Sequence, residues 1–219
     1  MEDAKVILRN YLRNKKMMRD IAGFEDAQKY AESLGKALAD ALGNDFTEVD
    51  EADLAMLLQP LLRRAYDDSA TGAMMAQRSA NKKAQLSIGT LRPEFDPEYA
   101  DKMAEELAGK LVDIRFVQNL IDQRTLGAVD ETVRKNAEAH EEMGLGVHIV
   151  RTYSDVGLRA GTKYSEDCQW CLSRCGDWDN YREAYDAGCF ERHPGCLCVI
   201  EYQVGKTHTM SRGLDWVDV

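Results

Sequence analysis

Through roughly the first 145 residues, apolar side chains recur three and four positions apart, which is the helical period. Ala27, Tyr30, Ala31, Leu34, Ala37, Leu38 and Ala41 fall on one face of a helix, and Gly43 is placed to end it in a left-handed cap. Residues 4–22 repeat the pattern, with Leu8, Tyr11, Leu12, Met18 and Ala22 inward and Arg9, Arg13, Lys15 and Lys16 on a solvated face. A third helix is predicted from Asp50 or Glu51, where acidic groups meet the positive helix end, through Leu54, Leu57, Leu58 and Leu61 toward Tyr66. Pro60 predicts a kink or break within it, because proline removes a hydrogen bond and crowds the preceding turn. The polar stretch 69–83 can continue as helix, with Met74 and Met75 as adaptable contacts.

Pro93, Pro97 and Gly89 mark residues 87–97 as an irregular connection. Asp96 followed by Pro97 then reads as an N-cap and first-turn pair for a helix whose apolar stripe is Met103, Leu107 and Leu111. The last helical stretch, 129–143, is polar apart from Val129, Val133 and Ala137, which predicts burial of one narrow edge and a stop at Gly144. Beyond Gly144 the period changes. Residues 147–153 and 196–204 are rich in β-branched and aromatic side chains and read as two strands that pair and bracket the intervening segment. The pattern predicts an α+β chain: a mainly helical region over 1–145, then a small α+β module over 146–219 with short antiparallel strands. No repeat, low-complexity tract or Pro/Gly/Ser linker separates the two, so a shared core is expected.

Composition narrows the classes. The 219 residues carry 28 Lys and Arg against 38 Asp and Glu, a formal charge of −10, with 44% hydrophobic and 30% charged residues. That balance suits a soluble globular chain and argues against disorder. No apolar run approaches the roughly 18 residues of a spanning helix, so no membrane partner is expected. The charged start, Met1-Glu2-Asp3-Ala4-Lys5, lacks the apolar core of a secretory signal, and folding in a cytoplasm is the expectation. An acidic total disfavours a protein whose main task is coating nucleic acid, although a local basic patch is compatible with it.

The six cysteines all fall between Cys168 and Cys198. Cys168-Gln169-Trp170-Cys171 is a C-x-x-C, and His193-Pro194-Gly195-Cys196-Leu197-Cys198 follows. A C-x-x-C turn offers two thiolates to one point, and a second turn bearing Cys and His completes a tetrahedral shell, so Cys168, Cys171, His193, Cys196 and Cys198 are candidate ligands of a structural Zn²⁺. Spacing alone does not choose among the last three. In a strand, Cys196 and Cys198 point to the same side and both reach the metal, with His193 a supporting hydrogen-bond partner; with His193 as ligand, one cysteine is spare. A disulfide framework and a thioredoxin-like redox pair are the alternatives, the first favoured by an oxidising compartment and the second by a βαβ unit that is not visible here. Cys175 and Cys189 read as buried small hydrophobes or as an additional disulfide.

Other chemistry is sparse. The nucleotide-binding glycine patterns fail, with Ile200 ahead of Gly205-Lys206-Thr207 and Ile149 after Gly144 and Gly146, and neither H-E-x-x-H nor G-x-S-x-G occurs. His140, His148 and His208 are isolated, and Glu138, Glu141 and Glu142 read as a solvated helix face. A cysteine nucleophile with His193 as base is a third reading, weakened by the metal-like array in which the cysteines stand.

The run from Val129 to Glu138, then Ile149-Val150-Arg151, Cys168-x-x-Cys171 with Gly176, and Phe190-Glu191-Arg192-His193-Pro194-Gly195-Cys196-Leu197-Cys198-Val199-Ile200-Glu201-Tyr202 resemble the minor head proteins of tailed phages, in the Mu F-like head morphogenesis family as found in phages and prophages of Gram-positive bacteria. Leu57-Gln59-Pro60-Leu61 and the 91–97 connection are similar as well. The chain departs from the family pattern at Leu197, where arginine is common, and in having Cys175 and Cys189. The resemblance implies a non-enzymatic virion component with no catalytic residues and no small-molecule substrate. It is expected to be associated with the portal protein, with the major capsid or scaffold protein as further partners, and needed for head morphogenesis or the state of packaged DNA. It implies that 1–145 is a docking and assembly region, that the protein is in the host cytoplasm during assembly and then in the virion, and that any DNA contact is weak. The rival reading is a zinc-stapled nucleic-acid-binding module, against which residues from Arg151 onward count eight Lys and Arg to eleven Asp and Glu.

Overall fold

The computed structural model describes residues 18–45, 51–108, 114–153, 168–193 and 195–205. The elements are α1 (Phe24–Asp45), α2 (Glu51–Lys83), α3 (Pro97–Ala108), α4 (Ile114–Glu142), β1 (Gly146–Thr152), α5 (Gln169–Leu172), β2 (Gly176–Trp178), α6 (Tyr181–Asp186) and β3 (Val199–Gly205). The architecture is α+β: a helical region followed by a three-stranded antiparallel sheet in the order β2-β1-β3. The helix read over 4–22 and its basic face lie outside the described residues except at its end.

α1 begins where Gly23 accepts from the Ala27 amide and the Asp26 carboxylate accepts from the Ala22 and Gly23 amides, which satisfies donors the helix cannot. Its expected face is inward, with Ala27, Tyr30, Ala31, Leu34 and Leu38 buried. Gly43 does not end it; the helix runs on to Asp45. A glycine costs a helix about 1 kcal/mol, too little to stop it alone. Pro60 likewise does not break α2, which spans 33 residues. Its ring is exposed, and the helix around it is held by Leu58, Leu62 and Ala65, all buried, so packing offsets the roughly 3 kcal/mol that an interior proline costs. Asp96 caps α3 as expected, accepting from the Tyr99 amide at 3.1 Å, and Met103 and Ala104 are buried.

The largest difference from the sequence reading is α4. It starts at Ile114 rather than near residue 129, and it is the central element, packed by α1, α2 and the sheet. Beyond the apolar Ile121, Leu126, Val129, Val133 and Ala137 it buries Asp122, Thr125, Asp130, Thr132, Asn136 and His140, so its buried surface is far wider than one narrow edge. Buried polar groups carry no periodic apolar signature, yet they are stable when hydrogen-bonded. Asn136 shows how: its amide donates to Leu91 O at 2.9 Å and Thr132 O at 2.7 Å, and its Oδ1 accepts from Leu91 N at 2.8 Å, which pins the irregular 87–97 connection to the core. Gly144, at φ +76°, ends α4 as expected.

β1 pairs with β3 along its whole length, with Ile149 opposite Tyr202, and with β2 at Ile149 to Trp178. The strand read over 196–204 starts later, at Val199, so Cys196 and Cys198 precede the ladder. β2, α5 and α6 are too short to leave a period. The helical and strand parts share one core, as expected: Phe24 meets Tyr202 edge-on at 6.2 Å between centroids, and His140 stacks on the Tyr202 ring while its Nδ1 shares a hydrogen bond with the phenol. Burial favours the neutral imidazole at His140.

Candidate metal centre

Two short turns bring the sulfur atoms together. In the first, the amides of Leu172 and Arg174 bond the carbonyls of Cys168 (2.9 Å) and Cys171 (3.0 Å), so the C-x-x-C becomes the single turn α5 with both side chains inward. In the second, the Cys196 amide closes on His193 O at 3.0 Å, with Gly195 at φ +78°, a left-handed conformation that glycine adopts without cost. The His193 Nε2 stands 2.9 Å from Cys171 Sγ and 3.4 Å from Cys168 Sγ, and Cys171 Sγ lies 3.6 Å from Cys196 Sγ. Two sets, Cys168, Cys171 and His193, and Cys171, Cys196 and Cys198, each have ligand atoms within 4.8 Å of one another, and they share Cys171. The five ligand candidates thus form two adjoining groups joined at Cys171, and the arrangement can hold a metal ion.

The donor chemistry fits a thiophilic metal and not Ca²⁺ or Mg²⁺, which require oxygen. All four candidate sulfur ligands belong to residues no more than 5% exposed. Burial pushes the Cys171 thiol up to about 12, and hydrogen bonding to Cys198 with burial raises Cys196 as well, so without a cation these side chains keep their protons. A bound metal displaces those protons and holds the thiolates. All six cysteines are free in the structure. Cys175 packs against the sulfur cluster, while Cys189 belongs to the main core and is fully buried, with its thiol raised by burial to about 12.

Around the sulfurs lies a shell of cations and amides. Arg151, on β1, is 2% exposed; its Nη1 donates to the carbonyls of Cys189 (2.5 Å) and Glu191 (2.6 Å) and its Nη2 to Cys196 Sγ (3.5 Å). Arg192 donates to the carbonyls of Cys196 (3.0 Å) and Cys198 (2.8 Å) and makes a two-pronged pair with Asp130 of α4, both side chains at most 4% exposed. Asp130 holds the Arg192 guanidinium firmly charged. Gln28, buried on α1, donates to Cys198 O at 2.7 Å. The cysteine loop is thus bolted to α1 and α4 through its own backbone carbonyls. Outside, Trp170 meets His193 edge-on at 5.0 Å and carries the Arg174 guanidinium on its face at 3.9 Å.

The spacing of cysteines and histidine points to the candidate ligands but assigns no role to Arg151, Arg192, Asp130 or Gln28. Lone charges in a polar helix or an alternating strand look like surface positions. The remaining sequence candidates are scattered. His148 reaches Asp177 and Asp179 at 3.3 and 3.1 Å on the outer side of the sheet, and His208 lies outside the described residues. Glu138 pairs with Arg134, whereas Glu141 is more than a solvated side chain, since it accepts from the Tyr181 amide at 3.0 Å and anchors α6. Among the described residues no helix is long and apolar enough to cross a membrane. Comparison with protein-family models, with curated proteins and with solved structures found no match to this chain.

Proposed function

We propose that this chain is a non-enzymatic structural protein whose cysteine loop is stapled by Zn²⁺, and that it serves as a minor head protein of a tailed phage, docked at the portal through its helical part. The observation that carries the structural reading is the surplus of sulfur and imidazole donors in the cluster. Five candidate ligands supply more donors than a tetrahedral ion needs, and a catalytic zinc keeps one position for water or substrate. Ties from Gln28 and Asp130 to the loop support the same reading, because they make metal binding and helix packing one cooperative event. The virion role rests on the sequence resemblance. Its test is the location of the chain in virions and procapsids of a phage or prophage that encodes it: density or cross-links at the portal are expected, and absence from both particles refutes the role. Tight, steeply salt-dependent DNA binding by the purified protein would instead favour the nucleic-acid module.

A further inference from the structure

We infer that the metal shell consists of Cys168, Cys171, His193 and Cys196, with Cys198 outside it, and that buried Arg151 is the counter-charge that favours three thiolates and an imidazole over four thiolates. The inference rests on the zinc reading above and goes further by naming the ligands.

The two turns are equivalent in spacing: Cys168-x-x-Cys171 and His193-x-x-Cys196 each place two donors three residues apart on one tight turn. A tetrahedral ion with metal–sulfur bonds of about 2.3 Å and metal–nitrogen bonds of about 2.0 Å separates its ligand atoms by roughly 3.5–3.8 Å. The separations of 3.4 Å between Cys168 and His193 and 3.6 Å between Cys171 and Cys196 already match, whereas the 2.9 Å between Cys171 and His193 must open by roughly 0.6 Å and Cys196, grouped with Cys171 but not with Cys168 and His193, must close toward that pair. Cys198 follows the second turn instead of closing it. Its carbonyl is fixed by Gln28 and Arg192, one residue before β3 begins.

Charge favours three thiolates with His193 over four thiolates. Arg151, Arg192 and Asp130 are all buried and together carry one net positive charge. Arg192 is matched by Asp130. Arg151 has carbonyls and the Cys196 sulfur as partners, and its Nε, buried, has none. A divalent ion bound by three thiolates and a neutral imidazole carries one net negative charge and leaves the buried centre neutral. Four thiolates would leave it negative, at the cost that any uncompensated buried charge incurs. Arg151 also donates to a sulfur of the chosen set, the position from which an outer residue strengthens and orients a ligand.

The full chain loaded with Co²⁺ provides the test, because its absorption reports ligand type and thiolate-to-metal charge-transfer intensity reports thiolate number. The expected wild-type spectrum is that of three sulfurs and one nitrogen, unchanged in Cys198→Ser and lost in Cys196→Ser. Arg151→Met should weaken metal retention against a chelator by about 10–100-fold with the spectrum type kept, and Arg151→Lys should recover part of that loss. A four-sulfur spectrum in the wild-type chain, which needs no variant to fold, overturns the ligand set while leaving a structural metal in place. Cobalt and zinc both failing to bind the reduced chain overturns the zinc reading and this inference together. An Arg151→Met protein that folds and retains metal as tightly as wild type overturns the role of Arg151.

Discussion

Replacing Asp130 by alanine should be among the most damaging single changes available outside the ligands. The carboxylate and the Arg192 guanidinium are 3% and 4% exposed, and two guanidinium nitrogens face the two carboxylate oxygens. Removal leaves Arg192 and Arg151 as two buried cations with no protein anion among the groups described around them except the sulfur cluster. Breaking a buried pair in this way costs roughly 3–5 kcal/mol, most of it the desolvation of the orphaned charge. For a chain of this length that corresponds to a fall in Tm of about 6–20 °C. Urea and thermal unfolding at fixed zinc measure it, and the double replacement Asp130→Leu with Arg192→Met separates the mechanisms. If the penalty is the unpaired cation, the double variant recovers much of the stability lost in Asp130→Ala. A loss below about 1 kcal/mol in Asp130→Ala, or strict additivity in the double variant, refutes the reasoning.

Asn136→Ala removes three hydrogen bonds that hold Leu91 and α4, so a loss of roughly 2 kcal/mol and faster proteolysis within residues 87–97 are expected; unchanged cleavage there contradicts the pin. Gly35→Ala puts a Cβ 2.5 Å from Asp122 Oδ1 and 3.1 Å from Thr125 Oγ1, where α1 and α4 approach, and should destabilise by about 1–3 kcal/mol although alanine is the better helix former; a gain in Tm would refute the close approach. Burial raises the Asp68 carboxyl to about 6, against the weaker opposing pull of Arg92. The folded chain therefore binds more protons than the unfolded one between about pH 4 and pH 6, and this residue's contribution falls as pH rises through that window, by on the order of 2 kcal/mol. Asp68→Asn should remove that slope in stability measured across pH 4 to 6.5, and parallel curves for the two proteins would show that the carboxyl is not shifted.

Much of the helical part and the Cys/His cluster is legible in the sequence because each leaves a periodic or spaced signature. Leu34 and Leu38 mark a face, Asp96-Pro97 marks a start, and Cys168 and Cys171 mark a turn. Signals that act through a single residue do not end a helix where tertiary packing outweighs them. Gly43 and Pro60 are local penalties of about 1 and 3 kcal/mol, overcome by the burial of α1 and α2. Over 129–143 the pattern predicts only a narrow buried edge because the buried Asp130, Asn136 and His140 are polar, and the partners that hold them, Arg192, Leu91 and Tyr202, lie 45 to 62 positions away in sequence. For the same reason the candidate ligands are legible while the residues packed around them are not. A ligand set is local in sequence; Gln28 meets Cys198 across 170 positions.

The central claim is that one metal ion closes the cysteine loop and ties it to the helices. Elemental analysis of the reduced, purified chain, paired with Tm before and after a strong chelator, tests it most directly. About one zinc per chain is expected, with its removal costing enough stability to lower Tm by more than 10 °C or to unfold the chain, as structural zinc does in small modules. Metal below about a tenth of an equivalent in chain refolded with zinc present, together with a Tm that the chelator does not move, would contradict it.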